Sequence, residues 1–131
     1  MIQRTLAKIQ SRIEKGESLT EQQRSELLQL LATLKAEIAG ISKTHAEQAE
    51  SITSFTEVST HEATRRQRDP ELLKLSLEGL GVSVQGLESS HPKLVEIVNA
   101  ISLMLSNSGV YIAPTLRVPQ PAVSPDKQLE S

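Results

Sequence analysis

Between Leu27 and Phe55 the chain places Leu27, Leu31, Leu34, Ile38, Ile41, His45, Gln48, Ile52 and Phe55 at alternating steps of four and three residues. Steps of that size hold the side chains on one side of an α-helix, whereas a strand repeats every second residue. The stripe is narrow, as in the seam along which one helix packs on another. A chain built on it is committed to an all-α fold: an elongated antiparallel helical bundle, coiled-coil-like, with one long central helix. The remaining segments read as packing partners of that helix.

Helix boundaries follow from local chemistry. Ile2, Leu6, Ile9 and Ile13 form one stripe over a first helix at 2–15, and Gly16 stands where a helix stops. Thr20 followed by Gln23 predicts a capping box that opens the next helix at Glu21, although Leu19 and Arg24 do not complete a hydrophobic staple. Gly40 has no proline or further turn residue beside it, so the helix is carried through it to Arg68. A continuous helix over 21–68 would measure about 70 Å at roughly 1.5 Å per residue. Its second half is rich in Ser, Thr, Glu and Gln, and its inward stripe becomes Ala49, Ile52, Thr56, Ser59 and Ala63. Small residues on such a stripe either admit a close backbone approach or leave a weak, partly hydrated contact.

Asp69-Pro70-Glu71 supplies a cap, a first-turn proline and an acid at the positive end of a helix dipole, predicting a third helix at 70–88. Leu73, Leu77, Leu80, Val84 and Leu87 again step by four and three, a periodicity set above the weakening effect of Gly79, Gly81 and Gly86. Ser90-His91-Pro92 opens a fourth helix at 91–108, with Leu94, Ile97, Val98, Ile101, Met104 and Leu105 on one broad face and Gly109 at its end. The short turn before it makes the last two helices a C-terminal hairpin. The bundle is expected to span 1–112, and Pro114, Pro119, Pro121 and Pro125 mark 113–131 as a mobile or extended tail.

Composition narrows the chemistry. At 131 residues, 37% hydrophobic and 2% aromatic, the chain builds an aliphatic core and offers only Phe55 and Tyr111 as stacking platforms. A net charge of −2 gives no whole-protein field to attract a polyanion, so nucleic acid is disfavoured as a partner. The absence of cysteine excludes thiol catalysis and thiolate metal sites. No apolar run is long enough to span a membrane, and the expectation is a soluble, cytoplasmic protein. Arg4, Lys8 and Arg12, with no acid before Glu14, give the amino terminus the look of an organellar presequence; the regular spacing of Ile2, Leu6, Ile9 and Ile13 favours a packed helix instead.

No catalytic constellation or cofactor loop is visible. His45 and His61 on one helix would lie about 24 Å apart at roughly 1.5 Å per residue, which excludes a shared metal site between them. His45 falls on the seam, where a polar residue sets register. His61-Glu62-Ala63-Thr64-Arg65 has the outline of a zincin helix, but Arg65 stands where the second histidine must be. His91 precedes Pro92 at a helix start and reads as a capping residue rather than a general base beside Glu88. Arg65, Arg66 and Arg68 form the one basic cluster, an alternative site for a polyanion against the plainer reading of a solvated helix end.

The string Glu88-Ser89-Ser90-His91-Pro92-Lys93-Leu94, continuing to Asn99, Leu105, Ser106 and Gly109-Val110, resembles the carboxy-terminal block of a bacterial family of small helical proteins known only as a domain of unknown function. The resemblance implies a bacterial, all-helical protein with no established activity, and it carries over no functional residue. What the residues themselves support is a non-enzymatic structural or protein–protein interaction module. Its apolar seams are expected to exceed what one subunit can cover, with Leu31, Leu34, Ile38, Ile41, Leu77, Leu80, Ile97 and Ile101 forming the contact of a homo-oligomer.

Overall fold

The long helix predicted from the seam does not run through. In the computed structural model, which describes residues 2–108, the elements are α1 (Ile2–Lys15), α2 (Glu21–Ile41), α3 (Ala46–Thr64), α4 (Pro70–Ser83) and α5 (Pro92–Ser108). The described residues are all-helical or connecting, with no strand among them. The span expected as one rod is therefore two helices, and the break falls after Gly40, at Ser42 to His45. Hydroxyls line the break. Ser42 Oγ donates to the Ala39 carbonyl at 3.2 Å and Thr44 Oγ1 to the Ile41 carbonyl at 3.4 Å, offering the helix end an alternative to further turns. The Thr44 and His45 amides also close on the Ile41 carbonyl, at 3.1 and 2.7 Å. His45 thus leaves the seam and becomes the residue before α3, its ring edge-on to that of His91 with centroids 5.4 Å apart.

The break folds α3 back into the protein. It packs against α1 on one side and α4 on the other and also touches α5, while α2 packs against α5. The stripe of small residues makes this close packing possible: Ala49, Ile52, Thr53, Thr56, Ser59, Thr60 and Ala63 are all buried. Their hydroxyls do not seek neighbouring helices. Thr53, Thr56 and Thr60 donate to the carbonyls of Ala49, Ile52 and Thr56, at 3.1, 2.7 and 2.8 Å, and so satisfy themselves within α3. Of the two outcomes expected for this stripe, the structure takes the dry, close one.

The ends of the other helices are set as the sequence predicts, with two differences. Thr20 Oγ1 accepts from the Gln23 amide at 3.0 Å and Gln23 Oε1 from the Thr20 amide at 2.9 Å, the reciprocal pair of a capping box. Arg24, which contributes no staple, instead reaches back over the α1–α2 turn. Its guanidinium donates to the carbonyls of Ile13, Gly16 and Leu19 at 3.2–3.3 Å, adding to the backbone bonds that the Ile13 and Gly16 carbonyls already accept in this turn. Asp69 caps α4 by accepting from the amides of Glu71 and Leu72. The second difference is the early end of α4 at Ser83: Gly86 takes a φ of +89°, a left-handed conformation that ordinary side chains resist. Val84 and Leu87 stay buried through the following turn, so the apolar periodicity outlasts the helix that suggested it. The predicted tail at 113–131 lies outside the described residues.

The eight side chains assigned to an oligomer contact lie instead within one subunit. Leu31, Leu34, Ile38, Ile41, Leu80 and Ile101 are buried, Leu34 and Leu80 completely, and Leu77 and Ile97 pack half-buried against the same core. Breaking the rod is the physical reason: α5 and α1 cover the seam of α2, while α3, turned back, covers α4 together with α5. Leu34→Ala should accordingly cost about 2–5 kcal/mol by chemical denaturation, as a cavity in a packed core does. It should leave the mass in solution unchanged; a change of mass with little loss of stability would place Leu34 in an interface after all.

Candidate functional site

Two surfaces flank α3, and the helical repeat of 100° per residue sorts its side chains between them. Glu57 and His61 lie on the edge towards α1, and Gln48 and Phe55 on the edge towards α4. On the first edge, α1 contributes a line of cations. Lys8, Arg12 and Lys15 recur on one side of α1, whereas its acid, Glu14, lies on the other and pairs with Gln10. Together with Ser11, Gly16, His61, Thr64, Arg65 and Arg66 they line an open groove of about 600 Å³. Five cations thus surround one depression in a chain whose net charge is −2.

Part of this charge is already spent. Arg12 Nη2 lies 3.7 Å from Glu57 Oε2, and Arg12 Nη1 donates to His61 Nδ1 at 3.1 Å. A guanidinium has no acceptor, so the contact fixes Nδ1 of His61 as the unprotonated nitrogen. Arg65 Nη1 is 2.8 Å from Glu62 Oε1, and Glu62 is 7% exposed, which ties Arg65 to the end of α3. Lys8, Lys15 and Arg66 are exposed or nearly so and have no ion pair among the described residues. Arg68 lies around the corner, in a neighbouring depression shared with Lys15, Glu17, Ser18 and both other arginines. The cluster of Arg65, Arg66 and Arg68 is therefore only the end of a longer basic surface. Sequence reasoning missed the α1 half because it weighed Arg4, Lys8 and Arg12 as a presequence and not as an edge. The available signal was their spacing of four.

On the other edge, Phe55 lies across Gly79 of α4, so close that a Cβ placed on Gly79 would meet the ring at 2.3 Å. Gln48 Nε2 donates to the carbonyls of Ser83 and Gln85, fixing the start of α3 against the end of α4. The two helices therefore run in opposite directions, and their outer face carries Phe55 and Val58 from α3 with Leu72, Leu75 and Val82 from α4. Exposure of these side chains ranges from 38% at Phe55 to 61% at Val82. Leu103 on α5 is the one other large apolar side chain exposed among the described residues.

The remaining candidates are occupied structurally. Glu88 Oε1 accepts from the Gly86 amide at 2.9 Å, and the His91 amide donates to the Leu87 carbonyl at 2.7 Å, so both hold the α4–α5 turn. Among the described residues no three His, Asp or Glu side chains converge as a metal site, and no helix is long and apolar enough to cross a membrane. Comparison with family models, with curated proteins and with solved structures returns no match.

The Phe55–Gly79 contact gives a paired test. Gly81 faces open space in α4, so Gly81→Ala should stabilise the protein by up to about 1 kcal/mol through helix propensity alone. Gly79→Ala gains the same propensity but must displace the Phe55 ring, and thermal unfolding should show a distinctly smaller gain or a loss. Equal stabilisation by the two substitutions would mean that Phe55 does not rest on Gly79.

Proposed function

We propose that the protein is an interaction module that self-associates through the apolar strip of α3 and α4. The observation that carries this reading is that five of the six large apolar side chains exposed among the described residues, Phe55, Val58, Leu72, Leu75 and Val82, belong to the packed pair α3 and α4. Five half-exposed side chains of this size present on the order of 400 Å² of apolar surface, the size of the largest apolar patch on a typical monomer, a patch that is often functional. Two such strips face to face remove about 800 Å² from water, below the roughly 1,200 Å² at which stable specific interfaces begin, so the charged edge beside the strip has to supply the rest of the contact.

Charge favours a second copy as the occupant. Glu71, Lys74 and Glu78 follow one another on the adjoining edge of α4, all exposed. In a two-fold contact, residue i meets residue j and j meets i. Pairing α4 antiparallel with its copy sets Lys74 opposite the Glu78 of the second copy, twice over. The long seams assigned to this role from the sequence are replaced by a shorter strip with different residues.

Light scattering at micromolar concentration should return the mass of a dimer for the wild type and of a monomer for the double variant Leu75→Glu, Val82→Glu. Both positions are exposed, so helical content by circular dichroism should be retained. Lys74→Glu alone should weaken the dimer, and adding Glu78→Lys should restore it. A wild type that remains monomeric removes the proposal.

A further inference from the structure

The groove between α1 and the end of α3 is a second, independent binding surface, and its chemistry points to a different kind of ligand. Its walls are cationic on both sides: Lys8, Arg12 and Lys15 from α1, Arg65 and Arg66 from the far end of α3 and just beyond. Arg12 is held in place by Glu57 and His61, and Arg65 by Glu62, so two guanidinium groups are fixed on the groove wall before any ligand arrives. Between them Lys8, Lys15 and Arg66 lack ion-pair partners among the described residues. Lys8 and Lys15 stand about 10 Å apart along α1 at roughly 1.5 Å per residue, so the charge runs along the groove rather than converging on one point.

We infer that this groove binds a linear oligophosphate, of which inorganic polyphosphate is the representative. A chain of closely spaced anionic groups matches a row of cations, and each phosphate offers oxygens for fixed guanidinium donors and mobile ammonium groups alike. The lining contains no Phe, Tyr or Trp, and its one ring, the imidazole of His61, is engaged at Nδ1 by Arg12; apart from Ser11 and Thr64 the rest is glycine and cations. Single-stranded nucleic acid draws much of its affinity from bases stacked on aromatic rings, so a groove whose one ring is the small imidazole already held by Arg12 offers less to nucleotides than to bare phosphate. The inference does not rest on self-association, since the groove and the apolar strip lie on different edges of α3.

The test is titration of the full chain with inorganic polyphosphate, followed by calorimetry at several salt concentrations. Three free cations predict a slope of log K against log salt of about −2, at roughly −0.7 per phosphate contact on a flexible chain. The variant Lys8→Glu, Lys15→Glu, Arg66→Glu should lose at least tenfold in affinity while keeping its helical content. Lys43→Glu, Lys93→Glu, which changes net charge at exposed positions outside the groove, should bind within a factor of about two of the wild type, once ionic strength screens distant charges. Absence of binding by the wild type overturns the inference, as does equal loss in the two variants. Tighter binding of a single-stranded oligodeoxynucleotide of matched charge would also overturn it, in favour of a nucleic-acid site.

Discussion

Everything in this fold depends on a helix with little hydrophobic content lying between three others. α3 can occupy that position because its buried side chains are short and because its threonines return their hydroxyls to their own backbone. A hydroxyl bonded in this way needs no partner across the interface, so the neighbouring helices can approach without leaving a polar group stranded. Ser59 is the exception, since its Oγ is buried without a partner, and it is one of two such side-chain atoms among the described residues. The other is Nε of Arg12, in the contact that joins α1 to α3.

The same compactness explains why the helical class was legible in the sequence while the arrangement was not. Periodicity identified α1, α5 and the inward faces of α2 and α4, and cap chemistry placed Thr20 and Asp69 correctly, because these signals act within a single turn of chain. The break at Ser42 to His45 escaped because the four-and-three spacing continues across it. Ile41 and Ile52 remain buried, one on each side of a turn, just as they would in an unbroken helix. Periodicity records which residues face inward and is silent about whether inward means one direction or two. The turn at Ser42 to His45, closed by amide bonds to the Ile41 carbonyl, leaves no mark on that periodicity.

Reading the surfaces failed for a related reason. The apolar strip is assembled from Phe55 and Val58 on one helix and Leu72, Leu75 and Val82 on the next, and Phe55, the last residue of the sequence's inward stripe, faces the surface beside α4 instead. The basic groove joins residues some fifty positions apart, as the contact from Arg12 to His61 illustrates. A run of three arginines was visible in the sequence. The α1 cations that extend it were visible too, but their relation to Arg65 and Arg66 exists only after α3 has turned back alongside α1.

The placement of strip and groove on opposite edges of one slender helix has a consequence for assembly. Two copies joined through the strip would carry a pair of identical cationic clefts, one on each outer flank. A polymeric anion seated in one cleft would encounter the other as a tethered neighbour at raised effective concentration, so bivalency could multiply a modest single-site affinity by about a hundredfold or more. Short anions, unable to reach across, would gain nothing from the pairing, and the architecture would then discriminate by contour length as well as by charge.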